Sequence, residues 1–530
     1  MERAADGPLK LGCSHIEGAG STMPDGSSGT GRLLARKSLS TLQREAGQQG
    51  LRRSLGPLNL ILLGIGCILG AGIYVMPGNA AAHFAGPAVM LSFIIAGSAC
   101  ALTALCYAEL SSTIPVAGSA YTYCYAAMGE VFAWSIGWLL ILEYGMAAAT
   151  LAVGFSGYFV SLTRDLGIVI PASLATPLIQ ALPSGHGTTF LFTGSFNLIA
   201  ALAIAVVTVV LTAGISTSAA VNNFLVTVKV AVLMGFIAIG IGAVDTANWV
   251  PFIPPNEGGF TYGWPGVMRA ASILFFAYLG FETVSTAAAE ARNPERDLPI
   301  GILGSLIACT VIYIVVAAVL TGVVPYRELG VPDPIAIAVD RMGHPGFAVL
   351  VKVGALMGLS SVLLVNAYGQ SRVTFAMSRD GLLPPLFSQL HPRFQTPHLG
   401  TILLGAIAAV AAAFLPLSLL GDLVSIGIGL AFMVVALSVM WLRTTQPELH
   451  RPFRVPFGGF HVGRYWIGYI PVGAMLLCLT MIVPVIADLI RQALLGHPAP
   501  ILFLAGYALT GVIVYFGYSM SRSKLATEGV

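Results

Sequence analysis

The feature of this 530-residue sequence that most constrains its fold is the length of its charge-free runs. No Asp, Glu, Lys or Arg occurs from Ser54 to Ala108, and further long apolar runs follow. Charged residues make up 9% of the chain, against about 25% in a typical soluble domain. About 20 consecutive apolar residues form a helix that crosses the hydrocarbon core of a bilayer. The sequence therefore predicts an all-α integral membrane protein.

Twelve apolar stretches are predicted to be membrane spans, and we number them 1 to 12. Their predicted bounds are 57–82, 87–111, 130–161, 195–215, 221–243, 264–288, 299–323, 346–378, 399–415, 418–442, 466–488 and 500–520. The polar stretch 1–53 is predicted to form a disordered tail. Nineteen of the 26 Lys and Arg residues lie in segments on the same side as this tail, against four in the other loops. Because positively charged loops stay in the cytoplasm, both termini are predicted to be cytoplasmic.

The rest of the composition excludes several classes of function. The net charge of +3 is explained by the orientation signal, so we expect no nucleic-acid binding. No spacing among the seven Cys matches a metal site. The long loop between spans 3 and 4, Thr163 to Gly194, contains no Cys, which excludes a disulfide-linked subunit there. No HExxH, GxxxxGK or strand-linked GxGxxG pattern points to an enzyme.

Span 1 contains residues that are poorly suited to a continuous helix. It includes the stretch GIGCILGAGIYVMPG, with Gly70 and Gly72 close together and Pro77 after them. Gly66 and Gly70 alone fit the close packing of two helices in lipid. The second glycine pair and the proline favour an interruption of the helix instead. Non-helical backbone at membrane depth is tolerated only beside protein or a water-filled cavity, so the interruption predicts a cavity.

Span 6 is interrupted at the corresponding place in the second half of the chain. It includes ASILFFAYLGFETV, with Gly280 in the middle and Glu282 two residues later. Matched interruptions point to an inverted-repeat transporter with its site near the bilayer midplane, and the predicted repeats are 57–243 and 264–442. Interrupted helices offer free amides to a carboxylate and free carbonyls to a cation. Together these groups suit an amino-acid zwitterion.

Six stretches carry a resemblance to a known family. They are GIGCILGAGIYVMPG, YAELSSTIPVAGSAYTY, GWLLILEYGMAAATLAVGFSGY, FFAYLGFETVSTAAAEARNPERDLPIG, YGQSRVTFAMSRDGLLPP and RPFRVP. In this order they resemble the cationic amino acid transporter family of the amino acid, polyamine and organocation (APC) superfamily, and its bacterial-type twelve-helix members most. The resemblance implies a LeuT-type fold, with 12 transmembrane helices in a 5+5 inverted repeat and discontinuous helices 1 and 6.

The same resemblance implies the residues of the binding site. It places the substrate carboxylate on the amides that follow the first interruption. It places the substrate ammonium near four carbonyls of spans 1 and 6, those of Ile68, Phe276, Ala277 and Leu279. The Phe276 ring would cover the site, although Phe276 also fits an ordinary core position, and Leu359 would line the side-chain pocket. The predicted substrate-binding set is Ile68, Gly70, Ala71, Gly72, Phe276, Ala277, Tyr278, Leu279 and Leu359.

Two ionisable residues inside the predicted spans are candidates for proton coupling. The amine of Lys229 in span 5 either extends to the cytoplasmic interface or, as the resemblance implies, occupies the space that holds sodium in sodium-coupled relatives. Glu143 in span 3 matches a glutamate that the family uses for transport. A neutral, hydrogen-bonded structural acid also fits that position.

These features predict a secondary active amino-acid permease of the cell membrane that works by alternating access. We expect proton-driven import of small neutral or cationic L-amino acids without a cofactor or metal, and the apolar Leu359 favours neutral side chains. A proton-independent exchanger and an amino-acid sensor on the same fold are the alternatives. The expected partners are the substrate, protons and the lipid bilayer, and the sequence does not address an accessory subunit. The predicted organisation is a tail at 1–53, a transporter core at 54–445, two further helices within 446–520 and a C-terminal tail at 521–530.

Overall fold

Long α-helices make up most of the structure, a computed structural model that describes residues 36–37, 55–115, 119–184, 187–214 and 219–524. Helices within the predicted spans are labelled α1 to α12. They are α1 (Pro57–Ile68), α2 (Val89–Thr113), α3 (Glu130–Asp165), α4 (Leu198–Thr212), α5 (Ala219–Gly240), α6 (Gly263–Leu274), α7 (Pro294–Val323), α8 (Pro345–Arg379), α9 (His398–Phe414), α10 (Leu417–Thr445), α11 (Tyr469–Leu494) and α12 (Ala499–Val514). Apart from residues 36–37, the predicted tail at 1–53 lies outside the described residues, as do residues 525–530 of the predicted C-terminal tail.

Shorter elements connect these helices. Short α-helices span Ala71–Tyr74, Met76–Ala80, Ser119–Ala127, Thr283–Thr286, Pro334–Arg341 and Met520–Arg522, and π-helical turns span Ala81–Ala85 and Tyr515–Ser519. Short 3-10 segments span Gly86–Ala88, Ala172–Leu174, Ile241–Ala243, Thr246–Trp249, Phe275–Tyr278, Ala288–Glu290, Tyr326–Glu328 and Pro385–Phe387. Two antiparallel hairpins pair β1 (Ile179–Ser184) with β2 (Gly187–Phe192) and β3 (Gly459–Val462) with β4 (Tyr465–Gly468).

Much of the helical surface is suited to lipid. In the described part of the chain, nine helices are long and apolar enough to cross a membrane, and α1, α4 and α9 are shorter apolar helices. On α12, the side chains of Leu502, Leu509 and Ile513 are 63%, 59% and 61% exposed. Contiguous apolar surface of this kind is unfavourable in water but not against acyl chains. The structure is that of a multi-pass membrane protein.

Helices that are five apart in the label order pack against each other. Helix α2 packs along α7, α3 along α8 and α4 along α9. In addition, α1 packs on α7, and α6 packs on α2. Replacing each helix of the first pair by the helix five labels away gives the second pair. These contacts join helices of the first five to helices of the second five.

Both described ends of the chain lie on the same face of the protein. The Lys37 amine lies 2.9 Å from Asp380 Oδ1 at the end of α8, and the Lys524 amide donates to the Asp380 carbonyl at 3.1 Å. We call this side the terminal face. Helix α3 ends at Asp165 on the other side, which we call the opposite face. Lys352, near the start of α8, contacts Asp165 there.

Candidate functional site

The first interruption lies between α1 and the helical turn that follows it. Helix α1 ends at Ile68, and Gly70 has the non-helical angles φ −139° and ψ −135°. Among the described residues, the amides of Gly70, Ala71 and Gly72 donate to no acceptor. The first three amides after the interruption are therefore able to bind an anion.

The second interruption follows α6. The 3-10 segment that continues α6 ends at Tyr278, and Gly280 adopts a φ of +121°. The Gly280 amide donates to Glu282 Oε2 at 2.9 Å. A Cβ on Gly280 would lie 2.8 Å from the carbonyl carbon of Cys67 in α1. Glycine is required here twice, because side-chain-bearing residues rarely adopt this φ and because α1 approaches closely.

The two interruptions contact each other at the centre of the helix bundle. A Cβ on Gly72 would lie 2.4 Å from Ala277 Cα and 2.8 Å from the Ala277 carbonyl oxygen. The two interrupted backbones therefore cross without an intervening side chain. The structure brings the predicted positions 68–72 and 276–279 together at this crossing, and all of the nine predicted substrate-binding residues are buried.

A tyrosine that the sequence analysis missed lies at this crossing. The hydroxyl oxygen of Tyr313 in α7 lies 2.8 Å from the carbonyl oxygens of both Ile68 and Ala277, which are two of the four predicted ammonium acceptors. The hydroxyl has only one proton to donate, so the two carbonyls converge on a single donor. One donor hydroxyl from α7 thus lies between the two interrupted helices.

Apolar side chains close over the amides of the first interruption. Val362 Cγ1 of α8 and Leu151 Cδ2 of α3 would lie 3.0 and 3.2 Å from a Cβ on Gly70. Leu359, one turn before Val362 on α8, is fully buried, and the Phe276 ring is 4% exposed. The neighbourhood of the free amides is thus apolar and closed.

The Tyr278 side chain points away from the crossing, although its backbone belongs to it. Its hydroxyl donates to the Phe93 carbonyl in α2 at 2.9 Å, and its ring packs on the Phe93 and Tyr313 rings. Any contact between Tyr278 and a ligand at the crossing is therefore through the backbone.

Lys229 is buried among three helices. Its side chain is 1% exposed, and its amine donates to the Gly66 carbonyl in α1 at 3.0 Å. A Cβ on Gly358 in α8 would lie 3.6 Å from Lys229 Cε. The amine does not reach the protein surface, so the alternative of an interfacial lysine is wrong. Lys229 instead joins α5 to the end of α1 that precedes the interruption.

Glu143 lies elsewhere in the bundle and is not hydrogen-bonded to Lys229. It is 1% exposed, and neither of its carboxyl oxygens has a hydrogen-bond partner among the described residues. A Cβ on Gly427 in α10 would lie 3.2 Å from Glu143 Cβ. Glu282 Oε1, two residues after Gly280 in the second interruption, also lacks a hydrogen-bond partner in the described part of the chain. The structure thus provides no partners for a hydrogen-bonded structural role of Glu143.

Three charge clusters, each with at least one buried member, were not predicted from the sequence. On the opposite face, Arg269 in α6 contacts Asp422 and Asp488, and Lys352 in α8 contacts Asp165 and Asp340. On the terminal face, Glu109 at the end of α2 accepts from Arg443 of α10 and from the Val455 amide in the RPFRVP stretch. Each cluster joins helices that are distant in the sequence.

Comparison with known proteins gives consistent matches over most of the chain. A family model described as amino acid permease matches residues 55–513. The methylthioribose transporter of Bacillus subtilis (strain 168) is 45% identical over 425 residues, covering 80% of this chain and 88% of that protein. The branched-chain amino acid permease BcaP of the same organism is 40% identical over 497 residues, covering 93% and 99%. The vacuolar cationic amino acid transporter 4 of Arabidopsis thaliana is 37% identical over 418 residues, covering 78% and 68%.

Replacing Tyr313 by Phe is expected to destabilise the detergent-solubilised protein by roughly 1–3 kcal/mol, because it leaves buried carbonyls without their donor. The measurement is the thermal unfolding midpoint followed with a thiol-reactive dye. Such a dye reports unfolding here because the six described cysteines are free and buried.

Tyr278→Phe is the matched control for this measurement. It also removes one buried hydroxyl, but its acceptor, the Phe93 carbonyl, lies inside α2 and retains its helical hydrogen bond. The Tyr313 variant should therefore show the larger decrease in the midpoint. Equal decreases for the two variants would contradict a special role of the Tyr313 hydroxyl at the crossing.

Proposed function

This chain belongs to the amino acid permease family, and we propose that it imports small neutral L-amino acids as a proton-coupled secondary active transporter. The family match confirms the resemblance that the six stretches carry, and it identifies an amino-acid permease and not an enzyme.

The proposed binding site is the crossing of the two interrupted backbones. The substrate carboxylate would accept hydrogen bonds from the free amides of Gly70, Ala71 and Gly72. The substrate ammonium would donate to the carbonyls of Ile68 and Ala277 in place of the Tyr313 hydroxyl. The observation that carries this proposal is the convergence of those two carbonyls, at 2.8 Å each, on one donor. Ammonium groups have three protons and no acceptor, which suits two convergent carbonyls better than a hydroxyl does.

The proposed substrates are neutral aliphatic amino acids, including branched-chain ones. The side chains nearest to a Cβ built on Gly70 are apolar, namely Val362 at 3.0 Å and Leu151 at 3.2 Å. Leu359, one turn before Val362 on α8, is buried. A cationic side chain placed there would need an acceptor, and an unpaired charge in such a pocket is unfavourable. The similarity to a branched-chain amino acid permease supports the same preference.

The proposed topology is twelve membrane helices, with α1 to α5 and α6 to α10 as inverted repeats of the LeuT type. The packing of α2 with α7, α3 with α8 and α4 with α9 supports a two-fold relation between the repeats. The excess of Lys and Arg on the terminal face supports cytoplasmic termini in a plasma-membrane protein. Alternating access would then move the interrupted helices of spans 1 and 6 relative to the rest of the bundle.

Protons are the proposed driving ion, and no cofactor or metal is required. Lys229 carries this proposal because its amine donates to Gly66, four residues before the first interruption. Deprotonation of the Lys229 amine would change the hydrogen-bond donor that holds this end of α1. Protonation of Lys229 would thereby be coupled to the geometry of the crossing. Glu143 is the second candidate, since its buried carboxyl has no hydrogen-bond partner among the described residues.

The proposed function is tested by uptake of radiolabelled leucine, alanine and arginine into proteoliposomes with and without an inward proton gradient. We expect accumulation of leucine and alanine only when the gradient is present, and weak accumulation of arginine. Unlabelled methylthioribose is included as a competitor because of the similarity to a methylthioribose transporter.

Other outcomes point to the alternatives. Uptake that is indifferent to the gradient but needs internal amino acid would indicate an exchanger, and binding without flux would indicate a sensor. Accumulation of arginine alone, or complete inhibition by methylthioribose without transport of any amino acid, would contradict the proposed substrate class.

Replacing Lys229 by Ala or by the similarly shaped but uncharged Met tests the coupling. Because both variants remove the protonatable amine, we expect gradient-driven accumulation of leucine to be lost. Exchange of external for internal leucine, which needs no net proton movement, should be retained. Accumulation at the wild-type level in both variants would remove Lys229 from the coupling mechanism, whereas loss of exchange as well would indicate a structural role.

A further inference from the structure

Arg269 lies in α6 on the opposite-face side of the binding-site crossing. It precedes the 3-10 segment that begins at Phe275 by less than two helical turns. Its side chain is 2% exposed although it carries a charge. Nη2 lies 2.8 Å from Asp422 Oδ2 in α10 and 3.3 Å from Asp488 Oδ2 near the end of α11. A single side chain thus joins α6 to both α10 and α11.

The hydrogen bonding of this cluster is incomplete. The Arg269 guanidinium lies over the Phe84 ring, 5.2 Å from its centroid. The buried atoms without a hydrogen-bond partner among the described residues are Arg269 Nε and Nη1, Asp422 Oδ1 and Gln492 Oε1. A small cavity beside them is lined by Arg269, Asp422, Asp488 and Gln492 together with Phe84 and Ser418. Buried polar groups without partners are unfavourable, and water that entered on separation of the helices would satisfy them. Hydration of these groups would therefore offset part of the cost of breaking the ion pairs when the cluster opens.

The Lys352 cluster on the same face has a different character. Its amine lies 2.5 Å from Asp165 Oδ2 of α3 and 3.2 and 3.1 Å from the two oxygens of Asp340. All three ammonium protons can be used, so no donor is left over. This cluster joins α3, α8 and the short helix Pro334–Arg341, and it does not include α6. A fully satisfied cluster of this kind suits a fixed contact.

We propose that Arg269, with Asp422 and Asp488, forms the gate of the pathway on the opposite face. When the cluster is formed, α6 is held against α10 and α11, and the crossing is closed from that side. When it separates, the first part of α6 moves away, and the crossing opens to that side. Arg269 is thus a positioning residue for the 276–279 backbone. This inference rests on the proposed alternating access, but the test below reports accessibility and does not require transport.

The test measures how fast a cysteine below the cluster reacts with a charged, membrane-impermeant thiol reagent. Ser425 lies one turn beyond Asp422 on α10 and is 2% exposed, so Ser425→Cys is a conservative reporter. The full-length protein is labelled separately from each side, in intact cells and in inside-out vesicles. The same protein without Ser425→Cys gives the background of the native cysteines.

Arg269→Ala is expected to raise the labelling rate of the reporter roughly ten-fold from the opposite face and not from the terminal face. Arg269→Lys, which keeps the charge, should restore a rate close to that of the parent. Lys352→Ala is the matched control, because it removes an equally buried cation from the same face, and it should leave the rate unchanged.

Three results would overturn the proposal. They are an unchanged rate in a folded Arg269→Ala protein, an increase from both faces, or an equal increase in Lys352→Ala, which would indicate general loosening. If Arg269→Ala does not reach the membrane, Asp488→Asn replaces it, since Asp488 is a partly exposed partner. That variant should give a smaller increase in the same direction, and no increase would likewise overturn the proposal. If the labelling rates change as expected but the protein does not transport amino acids, that result contradicts the proposed function and not the gate.

Discussion

The whole structure depends on satisfying the peptide groups that two interrupted helices release inside a membrane. Hydrocarbon offers no hydrogen bonds, so each free amide or carbonyl must find a partner within the protein or in a ligand. At the second interruption the protein supplies one, since Glu282 accepts from the Gly280 amide. At the crossing, Tyr313 can serve only one of two carbonyls at a time. The amides of Gly70, Ala71 and Gly72 donate to no acceptor among the described residues. We propose that this unsatisfied remainder binds an amino-acid zwitterion.

The distribution of buried charge follows from the same constraint. Towards each face, charges are paired and join helices that are far apart in sequence, as Glu109 and Lys352 do. In the interior of the bundle, some charged side chains have only a backbone partner, as Lys229 does, or no hydrogen-bond partner among the described residues, as with Glu143. Single buried charges are costly in a membrane protein and are commonly associated with ion pathways. The Arg269 cluster lies between these two classes, because it is paired but leaves several polar atoms unsatisfied.

The sequence predicted the helices and the interruptions well, and predicted the side-chain partners poorly. Apolar run length located each helix because lipid imposes it, yet α7 begins at Pro294 and not at 299, since its first turn is polar and lies outside the apolar run. Glycines at 70, 72 and 280 marked the interruptions because their backbone geometry excludes side chains. In the sequence, Tyr313 is a single tyrosine in an apolar run, which is only weak evidence for a buried hydroxyl contact. Arg269 and Asp422 are 153 residues apart in the sequence, and no local pattern encodes a contact between such distant residues.

The most direct test of this account is a structure of the protein determined with leucine bound. The account predicts continuous density for one leucine at the crossing, with its carboxylate on the amides of residues 70–72 and its ammonium between the carbonyls of Ile68 and Ala277. The Tyr313 hydroxyl should have given up at least one of those carbonyls. Leucine bound elsewhere, or α1 and α6 running through residues 69–70 and 279–280 as unbroken helices, would contradict it.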